Sequence, residues 1–208
     1  MIDPMSTTPP EVADLVRQVA ADEPAGGPNE GDARAAGANV CGDFHIRIAR
    51  DGTWFYHGSP ISRKPLCRLF STVLRRDDAG DYWLVTPVEK GRIVVDDAPF
   101  TAVALTIHGA GPDQRLVFRT NLDDEVEAGA DHPIRVEHDS VTLEPSPYLL
   151  VRDRLEALIV RAVFYDLVDI AVPRDGGDRV EGDDGVDGGE IGVWSNGSFF
   201  SLGRIDGT

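Results

Sequence analysis

The sequence predicts an α+β protein of two similar small domains from an internal duplication, each mostly antiparallel strands with one amphipathic helix. Three observations predict it. Short apolar runs alternate with polar residues at strand spacing through much of residues 41–208. Each half carries one stretch with helical apolar spacing. An aromatic hairpin, Ile48-Ala49-Arg50-Asp51-Gly52-Thr53-Trp54-Phe55-Tyr56-His57-Gly58, has a counterpart in Ile191-Gly192-Val193-Trp194-Ser195-Asn196-Gly197-Ser198-Phe199-Phe200-Ser201-Leu202-Gly203. Both read as a short strand, an Asp-Gly or Asn-Gly turn, a hydroxyl residue and an aromatic pair.

Residues 1–39 read as an N-terminal arm and linker. Within it Val12, Leu15, Val16 and Val19 share one helical face over Pro10–Ala21, too short to persist alone and therefore a docking arm. A first repeat domain is expected over 40–105 and a second over 106–208. Phe44, Ile46 and Ile48 alternate as a strand, Asp51-Gly52 turns the chain, and Trp54–Tyr56 returns it. Ser62 suits an N-cap and Pro65 a first helical turn; Leu66, Leu69, Phe70, Val73 and Leu74 then form an apolar face. Strands follow at Tyr82–Thr86, Arg92–Val95, Phe100–Ile107, Arg115–Thr120 and Ile134–Val136. In the second half Pro147 opens a helix with Val151, Leu155, Leu158, Ile159 and Ala162 on one face, and Leu167–Val172 reads as a strand. The Asp/Gly-rich loop Pro173–Glu190 is too polar to pack.

The chain of 208 residues carries 36 acids and 20 bases, a formal charge of −16. That charge disfavours nonspecific binding to nucleic acid or anionic lipid. The acid is uneven: residues 1–40 carry −5, residues 98–208 carry −12, and residues 41–97 carry +1. Asp and Arg dominate over Glu and Lys, which fits either a GC-rich coding bias or a salt-rich cytoplasm. No run is apolar enough for a membrane helix, no signal segment is expected, and two cysteines, Cys41 and Cys67, cannot form a disulfide framework. The expected location is the cytoplasm.

Several linked motifs resemble one bacterial family. They are Cys41-Gly42-Asp43, Arg50-Asp51-Gly52-Thr53-Trp54-Phe55-Tyr56, Arg63-Lys64-Pro65-Leu66, Leu84-Val85-Thr86-Pro87-Val88-Glu89-Lys90, Val95-Asp96-Asp97-Ala98-Pro99-Phe100, and the closing Gly192-Val193-Trp194 with Phe199-Phe200. Over about residues 40–206 the chain is similar to the family catalogued as domain of unknown function 1285. The resemblance implies a duplicated two-domain α+β fold whose C-terminal part is loosely like pleckstrin-homology barrels. It further implies a pocket for a nucleotide-like ligand at the domain interface and a signalling role, and it brings no enzyme activity.

The residues that carry chemistry are few. Arg63 and Lys64 sit at the predicted helix start, where free N–H groups favour an anion, and Lys64, Arg68 and Arg75 fall on one face. They read either as a phosphate or carboxylate site or as a solvated charged face. Trp54, Tyr56, Trp194 and Phe199 read either as a stacking surface or as packing. The ligand site expected from these residues and the family motifs is Arg63, Lys64, Thr86, Glu89 and Lys90 with Trp54, Tyr56 and Trp194. Metal is not expected: Cys41-x3-His45 lacks a second matched pair, and His57, His108, His132 and His138 are scattered. An EF-hand from Asp183 would need Glu where Trp194 stands. No phosphate-loop, nucleophile-elbow or Cys-x-x-Cys motif occurs, and the Asn196-Gly197-Ser198 sequon reads as a turn. The sequence thus points to a binding or signalling module for a small anionic ligand between the domains, or to a protein–protein adaptor. Enzyme activity and cofactors are not expected.

Overall fold

In the computed structural model, which describes residues 40–86, 89–174 and 189–204, the chain divides into two compact units. Of the described residues, the first holds those up to Ile48 and from Thr53 to Val95; the second holds Ala49–Gly52 and those from Asp96 onward. The boundary expected at residues 105 and 106 falls inside a single strand, Phe100–His108. The predicted arm helix Pro10–Ala21 and most of the acidic loop 173–190 lie outside the described residues.

The first unit is a six-stranded sheet with one helix. Its elements are β1 (Val40–Ile48), β2 (Trp54–Tyr56), β3 (Ser59–Pro60), α1 (Lys64–Thr72), β4 (Leu74–Arg76), β5 (Tyr82–Val85) and β6 (Glu89–Val95). They pair in the order β3-β2-β1-β6-β5-β4. All neighbours are antiparallel except the central pair, β1 and β6, which run parallel. Ile46, Ile48, Trp54, Leu74, Leu84 and Ile93 are buried, as the period of 2 requires of one sheet face. Phe70 of α1 is buried with them and stacks on Trp54, ring centroids 6.1 Å apart.

Helix α1 is shorter than its apolar spacing suggests. Arg63 rather than Ser62 is the N-cap, and Val73 closes the helix. Leu74 and Arg75 therefore belong to β4, which removes Arg75 from the helical face it was expected to share with Lys64 and Arg68. The backbone turns there because the chain must return to pair Leu74 with Leu84. Of the helical face, Cys67, Phe70 and Ser71 are buried, while Leu69 is exposed.

The second unit repeats the sheet strand for strand. It contains β7 (Phe100–His108), β8 (Arg115–Thr120), β9 (Glu125–Glu127), β10 (Ile134–His138), β11 (Pro145–Arg152) and β12 (Leu155–Ile159). Their order is β10-β11-β12-β7-β8-β9, again centred on a parallel pair of first and last strands. Numbering each sheet from its own first strand gives the same topology twice. The helices do not follow it: α1 lies between the third and fourth strands, whereas α2 (Arg161–Asp169) follows the sixth. A three-stranded sheet completes the unit: β13 (Val172–Pro173), β14 (Glu190–Ser195) and β15 (Ser198–Arg204). The Asn196-Gly197 hairpin is present, with φ of 51° and 70° at its turn residues. It joins β14 to β15, so the topological counterpart of the β1–β2 hairpin is β7–β8 instead.

The predicted helix from Pro147 is a pair of strands. Tyr148, Leu149 and Val151 are all buried in β11, as are Leu155, Ala157 and Ile159 in β12. The chain reverses at Asp153-Arg154, with Asp153 at φ 48°. The helix comes later, burying Val163 and Leu167 one turn apart, where a strand at Leu167–Val172 was expected. One buried hydroxyl is among the ties that hold the third sheet, beside hydrogen bonds from Gln114 to Trp194 and from Asn196 to Ala128. Ser195, fully buried, donates from Oγ to the Ala128 carbonyl at 2.7 Å and accepts the Leu116 amide at 3.0 Å. Among the described residues no helix is long and apolar enough to cross a membrane.

Candidate functional site

A cleft of about 570 Å³ opens in the second unit. One wall is the β10–β11 loop, Asp139 to Glu144, with Pro145–Pro147; the other is the end of β12 and the start of α2. Hydrogen bonds to Asp139 shape the loop. The Asp139 carboxylate accepts the amides of Val141 and Thr142 at 2.9 and 2.8 Å, and the Leu143 amide donates to the Asp139 carbonyl. Those amides, Thr142 first, hold the Asp139 carboxyl below its ordinary range. Hydrogen bonds also place the helix start. The Val160 amide donates to Ala102 of β7, and the Val160 carbonyl accepts the Phe164 amide.

Two guanidinium groups enter this cleft. Arg50, from the β1–β2 turn, contacts Asp97 through Nε at 3.2 Å and donates from Nη2 to the Ser146 hydroxyl at 3.1 Å. Arg161, the first residue of α2, pairs with Glu144 through Nη2. Each thus commits part of its fork to a neighbour, and the planar fork has five donors in all. Asp97 also accepts the Tyr148 hydroxyl at 2.8 Å; burial, then this carboxylate, raises the phenol to about 12. Phe164 and Tyr165 supply an aromatic wall.

The residues expected to form the ligand site fall on several elements: all but Trp194 belong to the first unit. Arg63 and Lys64 are exposed at the start of α1, which has no side-chain cap. Thr86 and Glu89 meet across the β5–β6 turn: the Glu89 amide donates to Thr86 Oγ1 at 3.0 Å and the Thr86 amide to the Glu89 carbonyl at 2.8 Å. Lys90 stands 4.1 Å above the Trp83 ring, whose Nε1 donates to Asp77 at 2.8 Å. Trp54 is a core residue, 2 % exposed, its buried Nε1 without a hydrogen-bond partner. Tyr56 meets the edge of His57, and Trp194 meets Phe199 edge to face at 5.2 Å. Of the aromatic set, Trp54 packs as a core residue, and Trp194 belongs to the second unit's small sheet. Arg50, Ser146, Arg161, Phe164 and Tyr165 were not anticipated as site residues. Only the extended β11–β12 reading would have put Ser146 and Arg161 at the same end of a strand pair.

A six-stranded topology used twice, with a polar cleft in the second copy, defines a duplicated α+β protein. Family models agree in detail: residues 37–98 match the "Domain of unknown function (DUF1285), N-terminal domain" and residues 99–202 the "Protein of unknown function (DUF1285), C-terminal domain". The chain belongs to the DUF1285 family. It is similar to a DUF1285 family protein from Silicibacter pomeroyi DSS-3 whose crystal structure is known. The two are 46% identical, the match covers 81% of this chain and 85% of the other, and the TM-score is 0.70. A DUF1285 family protein from Shewanella baltica OS155 is 27% identical over 60% of this chain and 91% of the other, with a TM-score of 0.47. No curated protein matches the chain.

Proposed function

We propose that this protein is a binding module, and that the second unit holds a small anionic, nucleotide-like ligand in the cleft between the β10–β11 loop and α2. The observation that carries the reading is the pair Arg50 and Arg161 in one cleft walled by Phe164 and Tyr165. Guanidinium forks bind phosphate or carboxylate with directed, charge-assisted hydrogen bonds, and an aromatic wall suits a flat ring. The cleft volume is within the usual range for small-molecule sites. Signalling is the role this reading extends to, with occupancy of the cleft as the signal. A thermal-shift series on the full chain with pyrophosphate, AMP and ATP tests it. Saturable stabilisation is expected, lost in Arg161→Ala, whose exposed side chain contributes little to folding. No shift with any of the three, in protein shown to be folded, would sink the reading.

A protein–protein adaptor is the second reading, and one observation favours it. Val141 and Leu143 on the β10–β11 loop are 87 % and 71 % exposed, and Tyr165 across the cleft is 57 % exposed. Leu143 is held at φ 59° on a loop shaped by hydrogen bonds to Asp139, so apolar side chains are presented to solvent at the cleft rim. Loss of partner capture in Val141→Ser/Leu143→Ser, with anion binding absent, would favour this reading over the first.

A further inference from the structure

His45 and His57 are far apart in sequence yet adjacent in space. The antiparallel register of β1 and β2 pairs Ile48 with Trp54, Arg47 with Phe55 and Ile46 with Tyr56. The next pair in that register is His45 and His57, and the His57 amide donates to the His45 carbonyl at 3.0 Å. Their rings lie 4.5 Å apart between centroids at 35°. Both residues are exposed, and both adopt the left-handed region, φ 53° and 47°. Non-glycine residues rarely sit there, and strain of this kind clusters at functional positions. Two such residues face each other across one hairpin.

Each exposed ring has a neighbour. Asp43 Oδ1 accepts the His45 amide at 2.7 Å and stands 3.8 Å from His45 Nδ1. That separation is longer than a hydrogen bond, but it puts a carboxylate on the Nδ1 side, where the outer-shell partner of a histidine that ligates through Nε2 usually stands. Tyr56 meets the His57 ring edge-on at 4.4 Å. Bonds from one metal ion to two imidazoles, each about 2.0–2.1 Å, bring the two nitrogens to roughly 3–3.5 Å. Rings in contact at this centroid distance accommodate that spacing.

We propose that His45 and His57 form a two-imidazole site for a borderline divalent transition-metal ion of the Zn²⁺, Ni²⁺ or Cu²⁺ kind, with Asp43 as the outer-shell partner of His45. Among the described residues no group of three or more His, Cys, Asp or Glu side chains could hold a metal ion. The pair is therefore an open site whose remaining positions belong to water or to a donor from outside the chain. It lies in the first unit, whereas the cleft belongs to the second.

The probes are NiCl₂ and ZnCl₂ titrated into the full chain by calorimetry. One ion per chain with micromolar affinity is expected. His45→Asn and His57→Asn keep a residue that tolerates the left-handed backbone. Each is expected to weaken Ni²⁺ binding by more than the roughly 10- to 100-fold typical of losing an outer-shell partner, whereas His108→Asn leaves it unchanged. Proton NMR of the unaltered chain gives a readout independent of any variant's folding. Substoichiometric Ni²⁺ is expected to broaden the imidazole resonances of His45 and His57 first. Absence of saturable uptake, equal uptake by the double Asn variant, or first broadening at His108, His132 or His138 would each overturn the proposal.

Discussion

The Phe44 ring lies against the backbone of Gly91, its strand neighbour across the parallel pair. A Cβ at position 91 would stand 2.4 Å from that ring, well inside contact distance. Gly91 is buried at the centre of the first sheet, so the ring occupies the space of the missing side chain. Gly91→Ala should cost about 1–3 kcal/mol, the usual range for overpacking. Phe44→Ala should recover part of that loss when added to Gly91→Ala. Urea denaturation of the two single variants and the double measures the coupling directly.

Two buried hydroxyls should respond in opposite ways. Thr101 Oγ1 is buried with no hydrogen-bond partner. Thr101→Val keeps the shape and removes an unsatisfied group, so stability should hold or rise by up to about 1 kcal/mol. Ser195→Ala instead orphans the buried Leu116 amide, while the Ala128 carbonyl keeps the Asn196 side-chain amide at 3.0 Å, and should cost roughly 1–3 kcal/mol. Equal losses in calorimetric scans would contradict this contrast.

Alkaline pH should act through Tyr148. Its phenol ionises at about 12 in the folded chain against 10.0 ordinarily, because burial and Asp97 both disfavour the phenolate. A raised folded-state value contributes stability that is complete below about pH 10 and disappears as pH rises through about 12. Tyr148→Phe should therefore be less stable than the parent chain at pH 8, and the gap should narrow between those values. A gap that widens with pH would reverse the sign.

Cys67 should be chemically quiet. The thiol is 5 % exposed, and burial pushes it up to about 11. The thiolate is the reactive form, so little is present near neutrality. Iodoacetamide at about pH 8, read by peptide mass spectrometry, should leave Cys67 unmodified in folded protein and alkylate it in urea. Rapid labelling without urea would show that the α1 side of the first core opens readily.

Much of this fold was legible where one period ruled. The Asp51-Gly52 and Asn196-Gly197 turns marked their hairpins because each Gly adopts a positive φ, 83° and 70°, that most side chains resist. Residues 147–162 misled because β11 buries Tyr148, Leu149 and Val151 on both faces, which hides the period of 2 and leaves spacings that also fit a helix. Their turn, Asp153-Arg154, contains no glycine to announce it. The cleft was harder still. Arg50 and Arg161 line one cleft through a tertiary arrangement that no local pattern encodes. Composition did isolate residues 41–97, and Lys90 there is committed to Trp83.

The central parallel pairs bear on how the protein is made. In each sheet the middle is closed by the first and last strands, β1 with β6 and β7 with β12. Synthesis from the N-terminus delivers the flanking hairpins early and the keystone last. The first sheet can close only after Val95 has left the ribosome, and the second only after Ile159. Pairing so distant in sequence is entropically slow. The nascent chain therefore exposes the open edge of β1, with Ile46 and Ile48 uncovered, for as long as some forty further residues take to emerge, and chaperone contact during translation should concentrate in those two intervals.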